Sequence, residues 1–232
     1  MTIERTILAA ALLAAGAACA HATDIAIANA GFELPPLPPG SSGPFGTGTV
    51  PASGWLVAGD GANIFYVTSG SGPFPGGAPE GHDAIALAAD TTLSQTLSST
   101  LAKGTYQLSM EIGNPAGRAD ASATTSYQLF LPVNGRVLAS GVTLPMDQMP
   151  NGVFELMSVT TTIAADDPGL GQALAIRVRT GDMPFGPTAP FFAVDDVKLS
   201  VSTVPEPAEW ALCLGGLLGL ISWRRARQAR DA

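Results

Sequence analysis

The chain has little to cross-link it and little to catalyse with. Only two cysteines occur in 232 residues, Cys19 and Cys213, and both sit in apolar end segments. The stretch between them can therefore form no internal disulfide, so its stability must come from packing. Histidine is nearly absent, with His21 and His82 alone. No Gly-x-Ser-x-Gly elbow and no His-Glu-x-x-His pair occurs, which removes the common signatures of an α/β-hydrolase serine and of a zinc protease. Aromatics make up only 6% of the residues, low for a dedicated sugar-stacking face. Positive charge is scarce as well. Residues 23–203 carry six Lys and Arg against fifteen Asp and Glu, a net of −9, which excludes nucleic-acid binding through a basic patch. No Asn-x-Ser/Thr acceptor is present.

Glycine and proline are plentiful, 27 and 19. They interrupt the chain too often for long helices. What lies between them alternates. Residues 104–112 give the clearest period of two, with Tyr106, Leu108, Met110 and Ile112 on one side and Gln107, Ser109 and Glu111 on the other. Residues 126–132 and 136–140 flank Asn134-Gly135, a hairpin signal. Residues 154–164 alternate over eleven positions. Further strands are expected at 24–28, 54–57, 64–68, 84–88, 91–97, 173–179 and 191–201. Residues 35–50 and 69–79 read as loops, and a helical turn is expected near 98–102 or 169–172. Nine or ten short strands without a helix predict an all-β antiparallel β-sandwich.

The two ends differ from this domain. Residues 7–18 form an apolar run rich in Ala and Leu, followed by the small-x-small sites Ala18-Cys19-Ala20 and Ala20-His21-Ala22. This predicts a signal peptide over 1–22. At the other end, Pro205-Glu206-Pro207 precedes fourteen uncharged residues, 210–223, with Trp210 and Trp223 at the two ends. A helix of fourteen residues covers roughly 21 Å, less than the ~30 Å of a bilayer core, which takes about 20 residues. The run reads as one short transmembrane helix. Arg224, Arg225 and Arg227 follow it and should stay cytoplasmic by the positive-inside rule. The expected organisation is thus 1–22 leader, 23–203 domain and 204–232 tail.

The order Pro-Glu-Pro, short apolar span and arginine cluster resembles the PEP-CTERM sorting tail. That resemblance implies recognition of Pro205, Glu206 and Pro207 by an exosortase-type transpeptidase. It also implies a transient anchor in the inner membrane with the domain in the periplasm, release to the cell surface after tail processing, and exopolysaccharide as a partner. A second resemblance rests on Asn29-Ala30-Gly31-Phe32-Glu33, Gly54-Trp55, Pro79-Glu80-Gly81, residues 93–97, Gly104-Thr105-Tyr106 and Val194-Asp195-Asp196-Val197. Their order is similar to that of the galactose-binding-like jelly roll. It implies a structural calcium shared by Glu33 and Asp195, hard oxygen ligands suited to that ion.

Other side chains could carry chemistry. Phe74, in a Gly/Pro loop, is the best candidate for an exposed ligand-stacking aromatic. Trp55, Phe65, Tyr66 and Tyr127 could also stack, although Trp55 beside Gly54 reads more simply as core. His82 lacks a nucleophile partner and reads as a loop residue. Glu80, Glu111 and Glu155 are the carboxylates from which a glycosidase pair would have to come, yet Glu111 and Glu155 read more simply as solvent-facing. With no active-site motif in view, the sequence predicts a secreted, non-enzymatic surface or matrix protein. A carbohydrate-binding module is the alternative, and a weak glycoside hydrolase a more distant one.

Overall fold

The computed structural model describes residues 22–34, 36–38, 42–45, 48–49, 54–59, 62–67, 72–117, 122–181 and 191–202. The leader, the Pro-Glu-Pro motif, the apolar run and the arginines Arg224, Arg225 and Arg227 lie outside these residues. Among the described residues no helix is long and apolar enough to cross a membrane. The compact body is Thr23–Val201; of the remaining grouping, Met1–Ala22 with Ser202–Ala232, only Ala22 and Ser202 are described.

The described residues form two antiparallel sheets, the expected sandwich. The first sheet contains β1 (Ala22–Asp24), β2 (Ser42–Phe45), β5 (Ala62–Tyr66), β6 (Asp83–Leu87), β8 (Gly104–Asn114), β11 (Val153–Ile163) and β13 (Phe192–Ser202), in the order β11-β8-β13-β6-β5-β2 with β1 beside β13. The second contains β3 (Gly48–Thr49), β4 (Leu56–Ala58), β7 (Thr92–Thr100), β9 (Thr125–Leu131), β10 (Arg136–Val142) and β12 (Ala173–Thr180), in the order β10-β9-β12-β7-β4-β3. The period of two decides which side chains go between them. Tyr106, Leu108, Met110 and Ile112 of β8 are buried, as are Leu93 and Leu97 of β7, Leu129 and Leu131 of β9, and Ile176 and Val178 of β12.

The hairpin at Asn134-Gly135 forms as its residues demand. Gly135 adopts φ +71°, and the Asn134 side chain accepts the Arg136 N–H at 3.0 Å. The Arg136 guanidinium forks onto both oxygens of Asp167, at 2.7 and 2.6 Å, and holds that carboxyl down at about 2.

Three local expectations differ from the structure. The 35–50 segment holds two short strands, β2 and β3. Both lie at sheet edges, where Pro44 removes no ladder hydrogen bond that an inner strand would need. β7 continues through Ser98 and Ser99 to Thr100, so no helical turn forms there; at the alternative place, 169–172, the chain makes a hydrogen-bonded turn, with Gln172 N–H on Gly169 O at 3.1 Å, and the described 3-10 helix is Met146–Gln148. The first strand is Ala22–Asp24, not 24–28, because the chain leaves β13 after the Ile25 N–H bonds Leu199 O and then turns at residues 28–31.

Candidate active site

The N-terminal turn is built around Asn29. This residue takes a left-handed φ of +49°, which Asn tolerates better than other side chains. Its amide closes the turn on Leu34, donating to Leu34 O at 2.9 Å and accepting Leu34 N–H at 3.0 Å. Trp55, fully buried, donates its indole N–H to Asn29 O at 3.1 Å and packs against Phe32 with ring centroids 5.4 Å apart. Core packing therefore fixes the turn that presents Glu33.

Glu33 grips the start of β6. Its Oε1 accepts the backbone N–H groups of His82 at 2.7 Å and Asp83 at 2.8 Å. The grip requires glycine at position 81, where a Cβ would stand 2.2 Å from that oxygen and φ is +59°. The other side of the same loop is held by Asp195. Its Oδ2 accepts the Glu80 N–H at 3.0 Å and its Oδ1 accepts the Asp196 N–H at 2.7 Å. Asp196 has φ +49°, so β13 bulges there, and Val194 and Val197 both face the core with the two aspartates between them. The Glu80 carboxylate lies over Gly31, filling the space a side chain would need.

The structure thus brings Glu33 and Asp195 to one loop, residues 79–83. They meet it through backbone amides. Among the described residues no group of three or more His, Cys, Asp or Glu side chains is placed to hold a metal ion. As arranged, the carboxylates of Glu33 and Asp195 serve backbone amides, and no step below is routed through an ion.

The electrostatics of the cluster are unusual. Asp195 is fully buried, and burial pushes its carboxyl up to about 8. The amides of Glu80 and Asp196 pull the other way, and the charges of Glu80 and Asp196 add to the rise. Burial prevails because it strips away the water that would solvate the charged form. Asp83 is buried beside Glu33, and its Oδ1 has no hydrogen-bond partner among the described residues. Burial first and the Glu33 charge second raise its carboxyl too. Above these two carboxyls the loop itself, Pro79 to His82, is exposed.

The other candidates fall elsewhere. Phe74 is a correction: it is completely buried, stacked on Phe154 at 4.3 Å between centroids, in a small cluster with Val67, Ala84 and Ala193. The Gly/Pro loop folds back over the first sheet, and the ring is its anchor, so it can stack on no ligand. Glu111 and Glu155 cannot pair. Glu111 stands opposite Leu156 and Glu155 opposite Ile112, which puts the two carboxylates on opposite faces of one sheet. Glu111 is half-buried near Asp196 and Lys198, and Glu155, expected in solvent, is half-buried on the core-facing side. Tyr127 is buried, with its hydroxyl donating to Ser158 O at 3.2 Å. The His82 side chain is exposed while its amide serves Glu33. Phe65 and Tyr66 lie on β5. The raised carboxyls of Asp83 and Asp195 were not legible in the sequence, since both depend on burial that only the bulge and the loop create.

Comparison with known proteins bears on the domain as a whole. A family model described as HpiC1-like, HpiC1 cyclase, matches residues 23–200. The Stig cyclase Fisc from Fischerella sp. TAU, solved with (3Z)-3-(1-methyl-2-pyrrolidinylidene)-3H-indole, superposes with a TM-score of 0.65 at 23% identity, covering 80% of this chain and 100% of that one. A cyclase from the same organism, solved with 4-(1H-Indol-3-yl)butan-2-one, gives 0.62 at 23%, covering 79% and 100%. These likenesses establish a shared fold. No curated protein matches the chain. The family match overturns the expectation of a non-enzymatic surface or matrix protein, and with it the carbohydrate-binding and glycosidase alternatives. The absence of familiar catalytic motifs is therefore no sign of an absence of catalysis here. Across its β-sandwich, the chain belongs to the HpiC1-like cyclase family.

Proposed function

We propose that the domain is a cyclase that closes a ring within one small organic substrate, with the Asp195 carboxyl as proton donor. The observation that carries the reaction class is the family match over residues 23–200. What supports the residue is its burial, which keeps a proton on it at neutral pH. The ligands of the two Fischerella structures suggest the substrate chemistry: an electron-rich indole bearing a ketone in one case, and a 3H-indole, which is an imine, in the other. Asp195 gives its proton to such a carbonyl oxygen or imine nitrogen, and the attached carbon becomes electrophilic. The electron-rich ring attacks it, a carbon–carbon bond forms, and the proton lost from the ring carbon returns to the Asp195 carboxylate. Atoms balance, so product and substrate have equal mass. Asp195 lies under residues 79–82, so the substrate reaches it when the Glu80 amide lets go and the loop lifts.

The test is chromatography with mass detection of indole-bearing ketones and imines incubated with the full chain. A new peak of unchanged mass that grows with enzyme supports the proposal. No such peak across the panel, from protein that melts cooperatively, removes it.

Delivery is part of the same proposal. The leader at 1–22 exports the domain, and the tail at 204–232 holds it in the inner membrane, periplasmic side out, until an exosortase-type enzyme acts at Pro205-Glu206-Pro207 and frees it to the cell surface. The support is the order of motif, uncharged run and arginines. Mass measurement of the mature protein should give a C-terminus near Pro207; a chain intact to Ala232 contradicts it.

A further inference from the structure

The domain begins and ends at one end of the sandwich. Phe192 stands opposite Leu87, next to the start of β7, so β13 runs from there toward the end of β7 and stops at Ser202. β1, beside it, begins at Ala22. The antiparallel ladders put three connections at this same end. Residues 101–103 join β7 to β8, residues 132–135 close the β9–β10 hairpin, and residues 164–172 join β11 to β12. They are laced to one another. Arg136 forks onto Asp167, the Leu101 N–H donates to Gln172 O and the Gly171 N–H to Leu101 O, each at 2.8 Å. Gly169 leaves no room for a side chain against Leu131 and Leu101. The Tyr106 hydroxyl accepts the Ala102 N–H at 2.8 Å and donates to the Ala102 carbonyl at 3.1 Å. The end is a firm platform.

Much of what the platform shows to solvent is apolar or small. Ala102, Pro132, Val133, Ala164, Pro168 and Leu170 are exposed there. Val133, at the hairpin tip, is 74% exposed, the most of any large hydrophobic side chain among the described residues. Charge is light as well. The end carries Asp24, Asp166 and Asp167 against Lys103 and Arg136, one of the nine net negative charges of residues 23–203. Arg136 and Asp167 neutralise each other. Removal of residues 1–22 leaves the new N-terminal ammonium here too, which brings the end to neutrality.

We infer that this end of the sandwich docks on the lipid bilayer, with Val133 and Leu170 seated in the interface and Lys103 at the level of the headgroups. The inference rests on the reading of residues 204–232 as a membrane anchor. Length selects the partner. From Ser202 to Trp210, where the uncharged run begins, is eight residues, and a fully extended chain of that length reaches at most ~29 Å. Such a tether holds the platform beside the bilayer at high effective concentration. Two apolar side chains then suffice where they would not hold a free protein. Val142, Leu144 and Val153 are exposed as well, but at the opposite end, where β10 finishes and β11 begins. Val142 is roughly 20 Å along β10 from the hairpin tip. The tether favours Val133 and Leu170 over them.

The test uses the full chain in vesicles of phosphatidylethanolamine with phosphatidylglycerol. Cys19→Ser and Cys213→Ser remove the native thiols. A nitroxide is then attached at Val133→Cys, at Leu170→Cys or, for comparison, at Val142→Cys, all three exposed positions. Relaxation of the label by oxygen, which concentrates in the bilayer, is set against relaxation by a water-soluble nickel chelate. Oxygen should dominate at 133 and 170, and nickel at 142. Leu170→Asp should shift the label at 133 toward nickel. Nickel dominance at 133 and 170 in a chain that floats with the vesicles overturns the docking and leaves the anchor standing. A chain that does not float with them ends both readings. Oxygen dominance at 142 alone would put the opposite end on the bilayer and overturn the inference. So would spin–spin broadening at 133 with neither reagent reaching the label, since a second copy of the chain would then cover the tip.

Discussion

Asp195→Asn should lower the ring-closing rate by about 10²–10⁴-fold, the usual worth of a positioned proton donor. The side chain keeps its size and can still accept one of the two amides that Asp195 now holds. Circular dichroism should therefore show the same fold. The pH dependence carries the same signature. In the native enzyme the rate should be level below pH about 8 and fall above it, as the buried carboxyl loses its proton. Stability should follow with a definite sign. The folded carboxyl titrates near 8 and the unfolded one near 3.8, so between these values the folded form holds the extra proton. Its contribution is complete below about 4 and is lost as pH rises through about 8. The melting temperature should decline across that window in the native protein, and the slope should flatten in Asp195→Asn. Calcium that raised the melting temperature by more than about 2 °C and erased the same slope would reassign Asp195 to ion binding.

Trp55→Ala should give the largest loss of stability, about 3–5 kcal/mol for an aromatic removed from a packed core. In a domain of this size that is roughly 6–20 °C in melting temperature. The expected consequence extends to the site. Without the indole bond to Asn29 O and the contact with Phe32, the turn at residues 29–33 loses its support, and Glu33 loses its hold on the amides of His82 and Asp83. Catalysis should fall even at temperatures where the variant stays folded. Trp55→Phe, which keeps the ring packing and drops the hydrogen bond, should recover most of the stability. A melting curve that Trp55→Ala leaves unmoved would contradict the placement of Trp55 in the core.

The sandwich was legible because it rests on local period. Tyr106, Leu108, Met110 and Ile112 alternate with polar residues, and they are the side chains the first sheet buries. Asn134-Gly135 named its own turn. The edge strands were hidden by their proline and glycine, which exclude an inner strand but not an outer one. The site was half legible. Glu33 and Asp195 stood out by their neighbours in sequence, and they do reach the same loop. What joins them is the backbone of residues 80–83, which no side-chain pattern reveals. The raised titration of Asp195 depends on the bulge at Asp196 and on the loop above it, both long-range consequences of the fold. Phe74 misled for a related reason: a Gly/Pro segment reads as exposed, yet here it folds back and buries its ring against Phe154. That Ala22, Ser202 and the exposed Val133 share one end of the sandwich was invisible until the strands were paired.

The most direct measurement is the carbon-13 titration of the Asp195 side-chain carboxyl in the folded domain, identified by its disappearance in Asp195→Asn. A midpoint near 8, far above the ordinary carboxylate range of about 4, is the expected result. A midpoint in that ordinary range would show the carboxyl ionised at neutral pH and contradict its role as the proton donor.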